Sequence, residues 1–399
     1  MQANSLNRQG EGRGLRTRTG RSLLLCFLIG WLGIYASTLS ALADRLAAQF
    51  AIPAESAGMF LSAHAAGMFV SVLVSGAVAD SLGKRRIVLF ATPLVIVGLV
   101  LCAFAPSLPV LLAGQFLTGM GFSPCEAIGS ALLTDENPEQ ATRWMNISQI
   151  FFCLGAVGAP LAVLWYLTQA NGIYRHVLLF IAVLVGVTAV LIALAGGNMA
   201  AIQQKSKGSQ LNLFTVLKDR RVVLCGIMVF LYLGYESVGP VYFKQYFLSR
   251  GATLVTADAS ISVFWGAMIV MRFVGTWMEG KEIVSLRWFT LMVPLGVVVG
   301  LLATSDAMRL VAIALYGAGC GSAWPMLFVL ASRAYPERSG ATFAVMMLFT
   351  TAGNTLFPLL IGNWVANPQI TVILCGGLAL LVSVIGGILE HHQRRLAAA

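Results

Sequence analysis

The sequence predicts an all-α integral membrane protein: twelve transmembrane helices in two six-helix, pseudo-symmetric bundles. Three observations carry this. Of 399 residues, 58% are hydrophobic and only 11% charged, with a mean hydropathy of +0.83, whereas a soluble domain carries about 25% charged residues. Apolar runs long enough to cross a hydrocarbon core of ~30 Å as helices recur along the chain; the shorter alternating segments of a β-barrel do not appear. Finally, the second half repeats features of the first at a nearly constant offset.

The runs fall at 22–43, 56–79, 87–105, 109–134, 144–168, 176–196, 222–247, 258–279, 286–304, 308–333, 340–365 and 370–390. The one long polar interval divides six from six. This gives a basic N-terminus (1–21), a first bundle (22–196), a central loop (197–221), a second bundle (222–390) and a tail (391–399). Five arginines at 8, 13, 16, 18 and 21 precede a run ending Ala41-Leu42-Ala43. That resembles a signal peptide with a small-residue cleavage site. The run is too long for a typical signal core, so 22–43 is read as an uncleaved first helix.

Basic residues orient the helices. The N-terminus, the tail, the central loop and the 2–3, 4–5, 8–9 and 10–11 loops hold 20 of the 26 Lys and Arg. The opposite side holds Arg45, Arg175, Lys244, Arg250 and Arg309, and Arg272 lies inside a helix. The expectation is a bacterial inner membrane with both termini and the central loop cytoplasmic. The net charge of +10 is thereby explained as topology, without nucleic acid. The seven cysteines all sit in apolar runs without a CxxC pair, and read as small packing residues.

The repeat shows in four places. Gly76-x-x-x-Asp80 matches Gly275-x-x-x-Glu279 at offset 199; Gly119-x-Gly121 matches Gly319-x-Gly321 at 200. Pro138-Glu139 matches Pro336-Glu337, and Gly155…Pro160 matches Gly353…Pro358, both at 198. Parallel six-helix repeats are a recurring architecture of secondary transporters.

The stretch GAVADSLGKRR (76–86) places four charges between two apolar runs. Its pattern, Gly76, Asp80, Gly83, Lys84 and Arg85, resembles the loop 2–3 signature of the major facilitator superfamily, and the resemblance extends over essentially the whole chain. It implies that Asp80 faces the positive N-terminal end of the helix beginning near Ser339-Gly340, as a gate that forms and breaks. Glu279 is the second half's worn copy, without the basic cluster.

A charge at mid-bilayer costs about 2.5–3.5 kcal/mol on insertion scales, so each needs a partner, a watery cavity or a role. Glu126, Glu236 and Arg272 lie inside helices, and Asp44 near the outer end of the first. Gln115, Gly119, Phe122 and Glu126 share a helix face. Glu126 is the leading proton-coupling candidate, since a carboxyl in a partly dry cavity takes up and releases a proton as the cavity changes side. Glu236 and Arg272, opposite charges on adjacent helices, read either as a structural pair or as substrate contacts. Further candidates for binding are Asn146, Gln149, Asn354 and the aromatics Trp31, Tyr35, Tyr235 and Trp324. His64 is expected to be a packed neutral histidine.

Narrower segments are similar to the fucose–galactose–glucose proton symporter family: GMGFSPCEAIGSALLTDENPEQATRWMNISQIFFCLGAVGAP (119–160), FLYLGYE (230–236), FWGAMIVMRFVG (264–275) and GAGCGSAWP (317–325). The resemblance implies that Asp44 and Glu126 serve proton coupling and sugar binding. Two departures stand out: Arg45 directly follows Asp44, and Gln149 stands where that family commonly has histidine.

The leading expectation is proton-coupled uptake of a small polar solute, a sugar or related molecule, by alternating access. The alternative is an exporter of drugs or metabolites by proton exchange, since the loop 2–3 signature occurs in both and GAVGAP (155–160) partly resembles an exporter motif. No HExxH, nucleotide loop or Gly-x-Ser-x-Gly appears, so neither an enzyme nor a cofactor is expected. A signalling role is the remaining class. The expected partners are the solute, protons and the bilayer, with a monomer as the working unit.

Overall fold

The computed structural model describes residues 17–52, 58–169, 172–195, 213–364 and 367–398. The arginines at 8, 13 and 16 and most of the central loop lie outside these. Among the described residues every regular element is helical, and twelve spans are long and apolar enough to cross a membrane.

The first bundle comprises α1 (Arg18–Gln49), α2 (Gly58–Leu82), α3 (Lys84–Ala103), α4 (Leu108–Glu136), α5 (Ala141–Thr168) and α6 (Tyr174–Leu194). The second comprises α7 (Arg220–Ser249), α8 (Leu254–Gly275), α9 (Glu282–Thr290 and Met292–Leu302), α10 (Asp306–Cys320 and Ala323–Ser332), α11 (Ser339–Trp364) and α12 (Pro368–Ala398). Capping follows sequence chemistry. Thr17, Asp219, Thr253 and Ser305 each accept a first-turn N–H with the side-chain oxygen, satisfying donors that the helix itself leaves open.

Two differences from the expected spans have physical causes. α1 runs past both ends of 22–43; at its start Arg21 pairs with Glu136 at 3.1 Å and Arg18 donates to Asn137 at 3.1 Å. The tenth span is two helices, broken at Gly321-Ser322. Pro325 has no N–H for the carbonyl four residues earlier, which is that of Gly321.

Each bundle has its own apolar core. Within the first, α2 and α4 approach closely at glycines: a Cβ on Gly67 would meet the Phe116 carbonyl at 2.0 Å, and one on Gly119 the His64 carbonyl at 2.0 Å. Small residues at such crossings let backbones touch in lipid, where packing replaces the hydrophobic drive. Val72, Ala127, Ala131, Ala141, Met145 and Cys153 of the first bundle instead join the core of the second, along a seam where α11 packs on α2 and α4 and α5 packs on α8 and α10.

The seam is not uniform. α11 is buried at every position from Gly340 to Met347, next to the end that carries the termini. Further along, Asn354, Thr355, Leu356, Pro358, Leu359 and Leu360 are all exposed. A helix exposed at successive positions is covered on few sides, so the two bundles are sealed at the terminus-bearing end and part toward the other.

The repeat is visible in three dimensions. The 3₁₀ turns Pro138–Gln140 and Pro336–Arg338 lead into α5 and α11 respectively, the two helices whose first turns meet the opposite bundle.

Candidate functional site

Two carboxylate clasps close the terminus-bearing end. In the first, Asp80, at the end of α2, accepts from the backbone N–H groups of Gly340 (3.1 Å) and Ala341 (3.0 Å) at the start of α11. Lys84 stands 2.9 Å from both Asp80 and Asp135, and Ser339 donates to Asp135 at 2.7 Å. An anion at a helix N-terminus meets open N–H groups and the positive end of the helix dipole. Gly83 turns the chain at φ +95° between α2 and α3, which sets Lys84 over Asp80. A Cβ on Gly340 would lie 2.7 Å from an Asp80 oxygen, so glycine is required for the carboxylate to seat. Gly76 is buried one turn before Asp80. Arg85 does something else: it donates to the carbonyls of Ile192 and Ala193 at 2.9 and 2.7 Å, closing the C-terminal end of α6 within its own bundle.

The second clasp reverses the roles. Glu279, after α8, accepts from the N–H groups of Thr142 (2.9 Å) and Arg143 (3.3 Å) at the start of α5. The basic residue absent from its sequence neighbourhood comes from elsewhere: Arg333, after α10, pairs with Glu279 and, at 2.8 Å, with Glu282. Glu282 also accepts from the Thr142 hydroxyl at 2.6 Å. Partial burial pushes the Glu279 carboxyl above the ordinary glutamate range, offset in part by the Arg143 N–H, Arg333 and the Thr142 N–H.

Deeper in the seam, Arg272 joins the bundles. Its Nε donates to the Gly321 carbonyl at 2.8 Å, the acceptor that Pro325 leaves open. The Tyr232 hydroxyl reaches the adjacent Cys320 carbonyl at 3.1 Å. Across the seam, Nη1 of Arg272 donates to the Gln149 carbonyl at 2.8 Å and to Cys153 Sγ at 2.6 Å on α5. Gly275 allows this approach, since a Cβ there would meet Ser322 Oγ at 2.3 Å and Asn146 Oδ1 at 2.6 Å.

Glu126 on α4 and Glu236 on α7 both lie within electrostatic reach of Arg272. Neither is in an ion pair within 4 Å or hydrogen-bonded among the described residues. Glu236 and Arg272 are therefore close but not in contact; the guanidinium is bonded to neutral acceptors. Asn146 Oδ1 and Gln149 Nε2 are buried without a partner. Trp324 stacks on Phe328 with ring centroids 3.9 Å apart, beside the break in α10. Asn354 is exposed where the seam parts.

The other sequence candidates lie inside single bundles. The Tyr35 hydroxyl donates to Gln115 Oε1 at 2.6 Å, 3.4 Å from His64 Nδ1, with His64 edge-on to Phe122. Trp31 donates to Thr188 on α6 at 2.9 Å. Tyr235 is fully buried against Tyr232 and Tyr316. Asp44 lies in α1, but its side chain is outside the described set. Cys153, Thr142, Asp135, Glu282 and Arg333 were not singled out from the sequence. The first two fall in the 119–160 segment, but nothing in their spacing marks them.

Two six-helix halves sealed at one end, with carboxyl groups left unbonded near a buried arginine, are the architecture of a membrane transporter. The chain belongs to the Major Facilitator Superfamily, whose family model matches residues 23–358. It is 26% identical over 204 residues to the multidrug resistance protein MdtL of Escherichia coli O81 (strain ED1a), covering 48% of this chain and 51% of that one. The chain thus matches about half the length of that relative. It is 32% identical over 141 residues to the 4-hydroxybenzoate transporter PcaK of Pseudomonas putida, covering 35% of this chain and 31% of PcaK. In fold it is similar to FucP solved in the outward conformation, at 17% identity and TM-score 0.71, covering 92% of this chain and 98% of that chain.

Proposed function

We propose that this transporter takes up a small polar solute, a sugar or related organic molecule, together with protons, by alternating access between the two bundles. The observation that carries this reading is the placement of Glu126 and Glu236, one from each bundle, around Arg272 with no hydrogen bond to the protein. Buried charges are normally paired, so carboxylates left unbonded inside a membrane are positioned to exchange protons or bind solute. Glu126 is the proton-coupling residue, with Asp44 as a second. Asn146, Gln149, Glu236, Arg272, Trp324 and Asn354 form the solute site, where two buried amide atoms await partners. Trp31, Tyr35, Gln115 and Tyr235 act by holding the bundles in shape.

The clasps are the gate. Asp80 with Lys84 and Glu279 with Arg333 hold the terminus-bearing end closed and release it when the protein turns inward. The excess of Lys and Arg on that side supports a cytoplasmic position for it and both termini, in a bacterial inner membrane. The fold likeness to FucP, described as a fucose:proton symporter, supports the symport reading.

A second reading is export by proton exchange, supported by the likeness to MdtL. Purified protein in liposomes with an internal pH dye separates the two, using a panel of sugars and lipophilic cations. Uptake predicts that a sugar drives proton entry and that Glu126→Gln abolishes it. Proton movement in the opposite direction, driven only by lipophilic cations, would establish export. Equal proton movement in the variant would remove Glu126 from the coupling role.

A further inference from the structure

At the terminus-bearing end, away from the seam, the start of α7 and the end of α12 enclose a cavity of about 240 Å³ lined by Asp219, Arg220, Arg221, Leu224, Ile388, Leu389 and His391. We propose that it binds the phosphate headgroup of an anionic phospholipid from the surrounding leaflet.

Charge supports this first. Arg220, Arg221 and His391 are exposed, and among the described residues neither arginine has an acidic partner. The one acid in the lining, Asp219, is already engaged: its Oδ1 caps α7 by accepting from the N–H groups of Arg221 (2.7 Å) and Val222 (3.3 Å). Glu390, next to His391, is paired with Arg287 of α9. Two guanidinium groups thus stand open at the level where a leaflet's headgroups lie. Guanidinium is suited to phosphate because its planar donor fork matches two oxygens at once, and basic pockets between membrane helices take anionic headgroups.

The apolar lining selects a lipid over a free anion. Leu224, Ile388 and Leu389 form one side of the cavity. A free phosphate would leave that side wet, whereas a phospholipid covers it with its glycerol and first methylenes. The path for the acyl chains continues from there: Leu381, Val384 and Ile388 are each more than half exposed, and their spacing of three and four residues makes one stripe along α12 toward the bilayer centre. α12 packs closely on α7, so a lipid here would pin the two helices together at the membrane surface.

The test is lipid retention by the intact protein in detergent, read by native mass spectrometry. Phosphatidylglycerol is titrated against phosphatidylcholine, with excess inorganic phosphate as a competitor. The expected result is one retained phosphatidylglycerol, preferred over phosphatidylcholine. Arg220→Gln combined with Arg221→Gln should weaken retention by about tenfold or more, given the contribution of each basic residue near anionic lipid. Lys244→Gln, at the opposite end, should leave it unchanged. Both arginines are exposed, and an unchanged melting temperature of the double variant in phosphatidylcholine shows that it is folded. Equal retention by the double variant would overturn the proposal. So would displacement of the lipid by inorganic phosphate, which would make the ligand a free anion.

Discussion

The two clasps perform the same closure with different amounts of protection from water. At the first, the side chains of Asp80, Lys84 and Asp135 are 7, 12 and 14% exposed, respectively. At the second, Glu279 and Arg333 are 28 and 41% exposed, and only Glu282, at 3%, is deeply buried. Both place a carboxylate on the first turn of a helix from the opposite bundle, and both helices start after the same Pro-Glu 3₁₀ turn. The first draws its acid and base from one loop. The second assembles them from two, Glu279 after α8 and Arg333 after α10. A dry charge-assisted contact is stronger than a wet one, because water competes for each donor and screening weakens exposed pairs. The first clasp is therefore expected to dominate the closed state, with the second acting as an adjustable partner.

The largest effect is expected from Asp80→Asn. It removes the charge from two helix N–H contacts and from Lys84, which keeps only Asp135. Loss of a buried charged partner predicts a shift of about 2–3 kcal/mol away from the closed state. Accessibility of introduced cysteines at the terminus-bearing end would show it as faster labelling. Gly340→Ala should come next, at about 1–3 kcal/mol, because the added methyl overpacks against Asp80; an unchanged labelling rate would mean that the close approach is unnecessary. Glu279→Ala, which removes the acceptor for the Thr142 and Arg143 N–H groups, is expected to cost about 1 kcal/mol or less, since this clasp is partly exposed and Glu282 still holds Arg333. If Glu279→Ala opened the seam more than Asp80→Asn, the ranking by burial would be wrong.

The smallest effect is one of pH. Burial raises the Glu279 carboxyl above its ordinary 4.5 in the closed state, and opening to water returns it toward that value. The closed state then holds the proton more tightly, so acidification toward pH 4.5 favours closure through this residue, and the preference fades as pH rises above the closed-state value. Measured relative to a fully exposed reference cysteine, which corrects for the thiolate fraction, labelling should fall slightly with acid in wild type and lose that dependence in Glu279→Gln.

The spans were legible because lipid demands long apolar helices, and the clasp at Asp80 through the resemblance of its loop to the superfamily's loop 2–3 signature. The break in α10 was present in GCGSAWP, but helix periodicity does not report it; only the acceptor that Pro325 leaves open, and a donor to fill it, make the break a site. That donor, Arg272, was read toward Glu236. It bonds instead to Gly321, Gln149 and Cys153, because which neighbour a side chain meets depends on crossings between helices far apart in sequence. The same limit explains Tyr35, Gln115 and Tyr235, whose helical faces were visible but point into bundle cores. The basic partner of Glu279 lies 54 residues further along, beyond the reach of any local motif.

The most direct test of the unequal seam is a pair of distances between spin labels in the membrane. One pair joins Ser81→Cys and Glu337→Cys across the sealed end; the other joins Gln49→Cys and Ser249→Cys at the opposite end. All seven native cysteines are buried, which favours labelling at the introduced sites. Combining Asp80→Asn with Glu279→Ala should lengthen the first distance and shorten the second. If both stayed as in wild type, or both moved in the same direction, the clasps would not control which end is closed.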